Sequence, residues 1–459
     1  MSIESAIAGL QTFLGNRLNR SKSDLAAHGG SETHFPPMLP DAVAYPESTE
    51  EVARIATLCT QEGCPVVGWG TGTSLEAQSL AVRGGVVVDF SRMNRLIQVN
   101  AEDMNAVVQP GLTREALNRE LRATGLFFPV DPGADASLGG MASTRASGTT
   151  TVRYGTMREA VLGLQVVLAD GRVIRTGSAA RKSATGYDLT ALFVGSEGTL
   201  GLITELTLRL HGLPEAISAA VCAFDDMKGA VNAVIATIQS GVPMARIEFL
   251  DTASVRAVNA RSGAGLPERP HLLVEFHGTP AAVAEQAETF GEIAAEFGAA
   301  GFRWSDRAEE RNRLWEMRHQ AYYACLALRP GARALVTDIC VPISRLAEAV
   351  EETAAEIAAS PLEGPILGHV GDGNFHAILL VEPGNAAEMA AAERLSGRMA
   401  ERALRLGGTV SGEHGIGLGK LGYMASEHGP AWQVMGQLKQ ALDPAGILNP
   451  GKLVPPAAP

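Results

Sequence analysis

Five cysteines are all that the 459 residues contain: Cys59, Cys64, Cys222, Cys325 and Cys340. Their number is odd and no Cys-x-x-Cys pair occurs, which sets aside a disulfide framework and a structural zinc knuckle and makes reduced thiols the default. Runs dense in Lys or Arg are also missing. With a net charge of −12 and a pI near 5.4, that absence argues against nucleic acid or an anionic membrane as the main partner. The N-terminus lacks the basic-then-apolar pattern of a signal peptide, and no apolar run is long enough to span a bilayer. The expectation is a cytoplasmic chain without a transmembrane segment, associated at most peripherally with a membrane electron-transport chain. Oligomeric state is not written in these features.

What is present suits an enzyme-sized globular protein: 46% hydrophobic residues and a length for roughly three domains. Ile3 to Leu18 reads as a short amphipathic helix. Strand-like Ala42 to Tyr45 leads to a helix with a capping-box pattern at Ser48 and Glu51 and a buried stripe of Val52, Ile55, Ala56 and Cys59, stopped by Gly63. The next strand, Cys64 to Val67, delivers Gly68-Trp69-Gly70-Thr71-Gly72-Thr73-Ser74. Successive amides in such a loop form a nest for a diphosphate, with Thr and Ser hydroxyls as further donors; a plain Gly-rich turn is the alternative. Asp89, after Val86-Val87-Val88, invites a nicotinamide Rossmann reading. The glycines are spaced G-x-G-x-G rather than G-x-G-x-x-G, Thr73 to Gly85 leaves little room for a crossover helix, and no Walker lysine follows. An α+β sheet domain is expected instead, with strands Leu96 to Val99 and Ala106 to Gln109 and a helix from Thr113 to Thr124 stopped by Gly125. Pro132 to Gly148 is poor in bulky side chains, which lets its backbone approach a flat partner closely. A hairpin tipped by Asp170-Gly171 and the run Gly195 to Thr204 follow.

Near the C-terminus, His369-Val370-Gly371-Asp372-Gly373-Asn374-Phe375-His376 and Ser411-Gly412-Glu413-His414-Gly415 supply three candidate metal ligands and a spare imidazole. A hairpin closing on Gly371 to Asn374 pairs His369 with His376, whose Cβ atoms would stand about 4.5 to 5.5 Å apart. His369, His376 and Glu413 then form a metal set, leaving His414 for acid-base work. Taken singly, each residue also reads as a satisfied turn histidine or a surface Glu-His pair. In the middle of the chain, strands Ile217 to Ala223, Ala245 to Leu250 and Leu272 to His277 alternate with helices near Asp226 to Gln239 and Thr279 to Phe297, an order that suits a ferredoxin-like cap. A following helix places Arg318 among Leu314, Trp315, Tyr322 and Cys325. An arginine on that apolar face needs an anion, either a ligand's or a protein carboxylate's.

The order of Val66 to Ser74, the small-residue segment and Gly195 to Thr204 resembles the FAD domain of the vanillyl-alcohol-oxidase-like flavoenzymes. Joined to His369, His376 and Glu413, it resembles the family of cytochrome-linked D-lactate dehydrogenases, within the FAD-dependent D-2-hydroxyacid dehydrogenases, from about Asp41 to Lys452. The resemblance implies a two-subdomain, PCMH-type FAD-binding domain (1–215), a ferredoxin-like cap carrying the substrate and metal site (216–425) and a C-terminal helical return (426–459). It implies FAD at Gly68, Gly70, Thr71, Gly72, Thr73, Ser74, Pro132, Gly133, Ser137, Gly139, Gly140, Ala142, Thr144, Ser147, Gly148, Tyr154, Glu197, Gly198, Ile203 and Asn449. The flavin is expected to be noncovalent, since the first loop has no histidine. Ala77 stands where relatives usually have Gly, and Thr150 where many have Asn. The matching arginine, Arg318, grips the substrate carboxylate in that family, with Tyr322 and His414 also at the substrate. Relatives acting on D-2-hydroxyglutarate place a lysine near Val336, and its absence here favours a monocarboxylate.

The expected chemistry is oxidation of D-lactate or a similar D-2-hydroxy acid, the divalent metal on the hydroxyl, His414 as base and Asn374 holding the hydroxyl or a ligand ring. Asn374 also reads simply as a left-handed turn residue. Zinc suits the ligands, and manganese or iron would too. A cytochrome, an electron-transfer flavoprotein or a quinone would take the electrons. D-2-hydroxyglutarate or glycolate is the alternative substrate. A zinc hydrolase and a non-catalytic electron-relay flavoprotein are the readings from other classes.

Overall fold

The computed structural model describes residues 2–31, 33–180 and 182–456. The chain divides into two compact units: Met1–Ser147, Gly155–Leu213 and Glu413–Pro459 in the first, Gly148–Tyr154 and Pro214–Gly412 in the second. The expected divisions lay after residues 215 and 425. The chain returns to the first unit at Glu413, so Glu413 and His414 belong to the unit opposite to that of His369 and His376.

In the first unit, β1 (Leu18–Asn19), β2 (Ala42–Ala44), β3 (Val66–Trp69) and β4 (Val86–Asp89) form a sheet in the order β1-β2-β4-β3, with β2 and β3 parallel to β4. Every residue of β2 and β4 is buried, as parallel strands covered on both faces require. The helix Thr49–Glu62 between β2 and β3 begins as its sequence indicates, with Ser48 accepting from Glu51 N–H, and buries Val52, Ile55, Ala56 and Cys59. The second half of the capping box is replaced: Glu51 accepts from Glu47 N–H and pairs with Arg17. Asp89 accepts from His28 Nε2 at 2.8 Å and from Ser91 N–H, a structural engagement in keeping with the case against a Rossmann site.

A second, antiparallel sheet holds β5 (Leu96–Asn100), β6 (Asn105–Val108), β8 (Val161–Val167), β9 (Val173–Gly177) and β10 (Leu202–Arg209) in the order β5-β6-β10-β8-β9; β7 (Leu126–Phe127) and β11 (His211–Gly212) pair separately. Part of the small-residue stretch forms the helix Leu138–Thr144, whose Leu138, Met141 and Ala142 join Val108, Phe193 and Leu206 in the core.

The second unit contains β12 (Ala216–Phe224), β13 (Met244–Leu250), β14 (His271–Gly278), β15 (Ala299–Ser305), β16 (Arg333–Val336), β17 (Ile339–Cys340), β18 (Ile366–Gly368) and β19 (Asn374–Val381). The sheet order is β15-β12-β14-β13-β18-β19-β16. Its first four strands with helices Met227–Gln239 and Pro280–Glu296 make the expected ferredoxin-like βαββαβ unit. Strand alternation divides the two faces. Ile247 and Phe249 of β13 and Val274 and Phe276 of β14 pack with those two helices, whereas Leu250 and Leu273 pack with Trp315, Ala321 and Cys325. Glu248 and Glu275 alternate onto the latter face. The helix expected to run continuously through Arg318 breaks at Gln320 into Ala308–His319 and Ala321–Leu326.

Ala77 is fully buried at φ 64°, in left-handed space. Replacing it by Gly relieves about 1–2 kcal/mol of that strain but forfeits about 0.8 kcal/mol of buried methyl and about 0.5–1 kcal/mol of chain entropy. These terms nearly cancel. Ala77→Gly is therefore expected to shift unfolding stability by less than about 1 kcal/mol, while Ala44→Gly, fully buried in β2, loses about 1.5 kcal/mol; equal losses in denaturant unfolding would refute the assignment of strain.

Candidate functional site

In the first unit, β3 runs directly into the Gly68 to Ser74 loop. A Cβ at Gly70 would fall on Ser137 Oγ and lie 3.8 Å from Gly140 Cα, so the Ser137 side chain takes the place that a side chain at Gly70 would need and the start of helix Leu138–Thr144 packs against this loop. Ser74, Ser79 and Ser137 each bury a hydroxyl with no hydrogen-bond partner among the described residues. Unspent buried donors of this kind beside a glycine nest fit a diphosphate. Thr71 and Thr73 are exposed, their hydroxyls 3.3 Å apart; Gly68 and Gly72 complete the loop.

Other residues expected at the flavin are engaged by protein. Gly139 N–H donates to Pro110 O at 2.8 Å, the Thr144 hydroxyl to Gly140 O and the Ser147 hydroxyl to Glu413 Oε2 at 2.8 Å. Ala142 and Ile203 are core residues. Pro132 is half-buried, and Gly133 stands in the open. Gly148 and Tyr154 lie in the second unit, where the Tyr154 hydroxyl meets His277 Nδ1 at 2.7 Å. Glu197, beside Gly198, accepts from the backbone N–H groups of Ile416 and Gly417 at 2.6 and 2.8 Å. Burial raises its pKa despite those two bonds. Asn449 donates to Gln78 O and Glu197 O and accepts from Lys452 Nζ, which also donates to Gln78 O and Leu80 O. Gln78 in turn donates to His414 O at 2.6 Å.

In the second unit the two histidine rings meet, with centroids 5.6 Å apart and planes at 83°. The expected register is corrected: β18 and β19 pair Leu367 with His376, not His369 with His376, because a 3-10 turn at Val370–Asp372 takes up the residues between. His369 lies two positions beyond Leu367 and reaches His376 as a diagonal neighbour. Asn374 opens β19 and is not the left-handed residue; Gly373 is, at φ 78°. The Asn374 amide donates to Asp338 Oδ1 and Ile339 O at 2.8 Å each, while its Oδ1 is buried without a partner among the described residues. Gly412 packs against that amide, and Glu413 and His414 follow it in the chain. Arg318, 7% exposed, has its Nη2 2.6 Å from Glu248 Oε2, so a protein carboxylate does hold this arginine. Tyr322 is half-buried and packs edge-on against Tyr323 at 5.3 Å.

A family profile described as FAD linked oxidases, C-terminal domain, matches residues 213–453, and one described as FAD binding domain matches 40–177. The chain belongs to the FAD-linked oxidases. It is similar to a probable mitochondrial D-lactate dehydrogenase of Danio rerio (48% identity over 99% of this chain and 92% of the relative). It is also similar to the mitochondrial D-lactate dehydrogenase [cytochrome] of Arabidopsis thaliana (44%, 98% and 80%) and to the glycolate oxidase subunit GlcD of Bacillus subtilis (35%, 90% and 89%). Among solved structures it shares its fold with a 4-ethylphenol oxidase of Gulosibacter chungangensis (TM-score 0.79, 20% identity, 99% of this chain and 97% of that one). p-Cresol methylhydroxylase shares the fold as well (TM-score 0.76, 17% identity, 98% and 96%).

This FAD-linked oxidase therefore has the expected PCMH-type fold, and the zinc-hydrolase reading is left without support. One expectation is overturned. The D-lactate dehydrogenases it resembles are mitochondrial by name, which points away from a cytoplasmic setting. Two residues went unassigned in the sequence. Glu248 was signalled by its position as the sole carboxylate of the buried strand Met244–Leu250, and Lys452 by its place closing Asn449-Pro450-Gly451-Lys452.

Burial pulls the Lys452 pKa from 10.5 down to about 7, against the raising pull of Glu197. Between those values the unfolded chain binds a proton that the folded chain has shed, so this residue's contribution to stability rises with pH. Relative to Lys452→Met, the unfolding free energy should climb by about 1.4 kcal/mol per pH unit between about pH 7.5 and 9. Denaturant midpoints of the two proteins read the difference, and a flat difference would refute the shift.

Proposed function

We propose that this FAD-linked oxidase converts D-lactate, or a D-2-hydroxy monocarboxylate of similar size, to the 2-oxo acid and delivers the electrons to a cytochrome-type acceptor rather than to NAD. The observation that carries the reading is similarity over nearly the whole chain to D-lactate dehydrogenases. Arg318, with no cation at Val336 to take a second carboxylate, supports it. FAD, when bound, supplies the hydride acceptor, and a divalent ion held by His369, His376 and Glu413, when bound, supplies a Lewis acid. Zinc, manganese and iron all suit two imidazoles and a carboxylate.

The chain's own residues divide the remaining work. Arg318 binds the substrate carboxylate in a charge-assisted contact. Asn374 Oδ1, an unspent buried acceptor, takes the hydrogen bond of the substrate hydroxyl. His414 receives the hydroxyl proton as hydride leaves C2, and Tyr322 flanks the carbon chain. The Gly68 to Ser74 loop with Ser137 and Gly140 holds the pyrophosphate. Glycolate is the second reading, favoured by the similarity to a glycolate oxidase subunit.

Anaerobic D-lactate is expected to bleach the flavin band at about 450 nm, with L-lactate and D-2-hydroxyglutarate inert; stronger bleaching by glycolate would install the second reading, and none by any of the four acids would leave an electron-relay flavoprotein. His414→Asn should slow that bleaching by about 10²–10⁴-fold at unchanged FAD and metal content. A variant reduced at the wild-type rate would remove His414 as the base. Stripping the metal with a chelator should stop turnover, and full activity in metal-free protein would end the role given to the ion.

A further inference from the structure

The geometry points to Glu248 as a positioning residue that fixes both the metal-facing tautomer of His369 and the pose of Arg318. The inference rests on the reading above, that His369 and His376 hold a divalent ion.

Glu248 sits in β13 with its side chain fully shielded from solvent. A carboxylate buried in an apolar strand is costly to keep unless both oxygens are occupied. Here they serve two different functional residues: Oε2 pairs by charge with Arg318 Nη2 at 2.6 Å, outside hydrogen-bond geometry, and Oε1 lies 2.7 Å from His369 Nδ1. All three residues belong to the second unit.

The consequence for His369 follows from donor and acceptor roles. A carboxylate only accepts, so Nδ1 must carry the ring proton, and in the neutral imidazole the lone pair then resides on Nε2. His376 is set in the same way by an independent partner, since its Nδ1 lies 3.0 Å from the Thr337 carbonyl oxygen, which also only accepts. Two different elements, β13 and the segment after β16, thus impose one tautomer on both rings. A carboxylate behind a ligand imidazole also raises the basicity of the nitrogen that faces the metal.

For Arg318 the same carboxylate is an anchor. Glu248 engages Nη2, while Nε is buried without a partner among the described residues, so the guanidinium is held in place with a donor unspent. One side chain therefore ties the group that reads the substrate carboxylate to the group that holds the ion. Glutamine cannot replace it: its single oxygen serves either His369 or Arg318, and its NH2 faces the other. With the NH2 toward His369, the ring would place its proton on Nε2 and withhold the lone pair.

The test uses the FAD-loaded protein and measures zinc affinity by competition with a chromophoric chelator. Glu248→Gln should weaken zinc binding by about ten- to a hundredfold at unchanged FAD content. Arg318→Lys, which leaves the Glu248 contact to His369 in place, should keep zinc affinity within about twofold and raise the D-lactate KM much more than it lowers kcat. Because a lone buried Arg318 can destabilise Glu248→Gln, the double variant Glu248→Leu/Arg318→Met removes both charges together with the acceptor for His369 Nδ1, and should fold normally yet still bind zinc weakly. Wild-type zinc affinity in either Glu248 variant overturns the positioning role while leaving the proposed reaction standing. A wild-type protein that takes up neither zinc nor manganese overturns the metal reading itself, and this inference with it.

Discussion

Two backbone amides of the returning chain, Ile416 and Gly417, close on the buried Glu197 carboxylate, and the first unit depends on that closure. The chain leaves this unit after Leu213 and comes back at Glu413, so nothing local in sequence holds the return. Glu197 binds it by charge-assisted bonds in a place that water does not reach, where such bonds are strongest and their loss most costly. Gln78 holds the His414 carbonyl, and Asn449 and Lys452 bring the last described stretch onto the same Gln78 to Leu80 segment. The backbone of His414 is in this way held by Gln78, within a polar network that also takes in Glu197, Asn449 and Lys452. That anchoring suits the role proposed for His414, which needs its ring at a fixed position.

The second unit solves a different problem with the same means. Its ferredoxin-like half would be a complete sheet by itself, but β18 and β19 extend it beyond β13. The extension places the turn that bears His369 and the start of β19 beside the polar positions of β13. Phe249 pairs with Gly368 across that junction, so Glu248 and His369 are close neighbours although 121 residues separate them. On the same face, His277 bridges Tyr154 and Glu275, and Arg246 lies over the Trp315 ring at 4.6 Å. The charged groups of this face are spent largely on one another, which lets an apolar sheet carry them.

Much of this was legible in the residues. Helix Thr49–Glu62 announced its cap, stripe and stop, because those are local matters of hydrogen bonding and 3.6-residue spacing. The ferredoxin-like order followed from strand and helix lengths, and the absence of a Rossmann crossover from the glycine spacing. Proximity of His369 and His376 was correct, but the register that produced it was not: a 3-10 turn and a two-residue hairpin loop are equally compatible with Val-Gly-Asp-Gly-Asn, and only packing of Gly371 against Ile247 and Gly373 against Val341 selects between them. The break at Gln320 was likewise invisible, since neither a proline nor a glycine marks it. Part of the small-residue stretch was read as facing a ligand when it faces Pro110 and the core, because a small side chain reports closeness without saying to what.

By itself the sequence determined the classes of chemistry available: a glycine nest with hydroxyls, two histidines near a carboxylate and a third histidine, and an arginine that must meet an anion. Those follow from residue type and short-range spacing, which act before the chain has a tertiary fold. Which anion Arg318 meets, which nitrogen of His369 faces Glu248, and which amides Glu197 captures were decided only by tertiary structure. The physical reason is that a buried charge is satisfied by whatever lies next to it in space, and for Glu248, Arg318 and His369 those neighbours come from three separate parts of the chain.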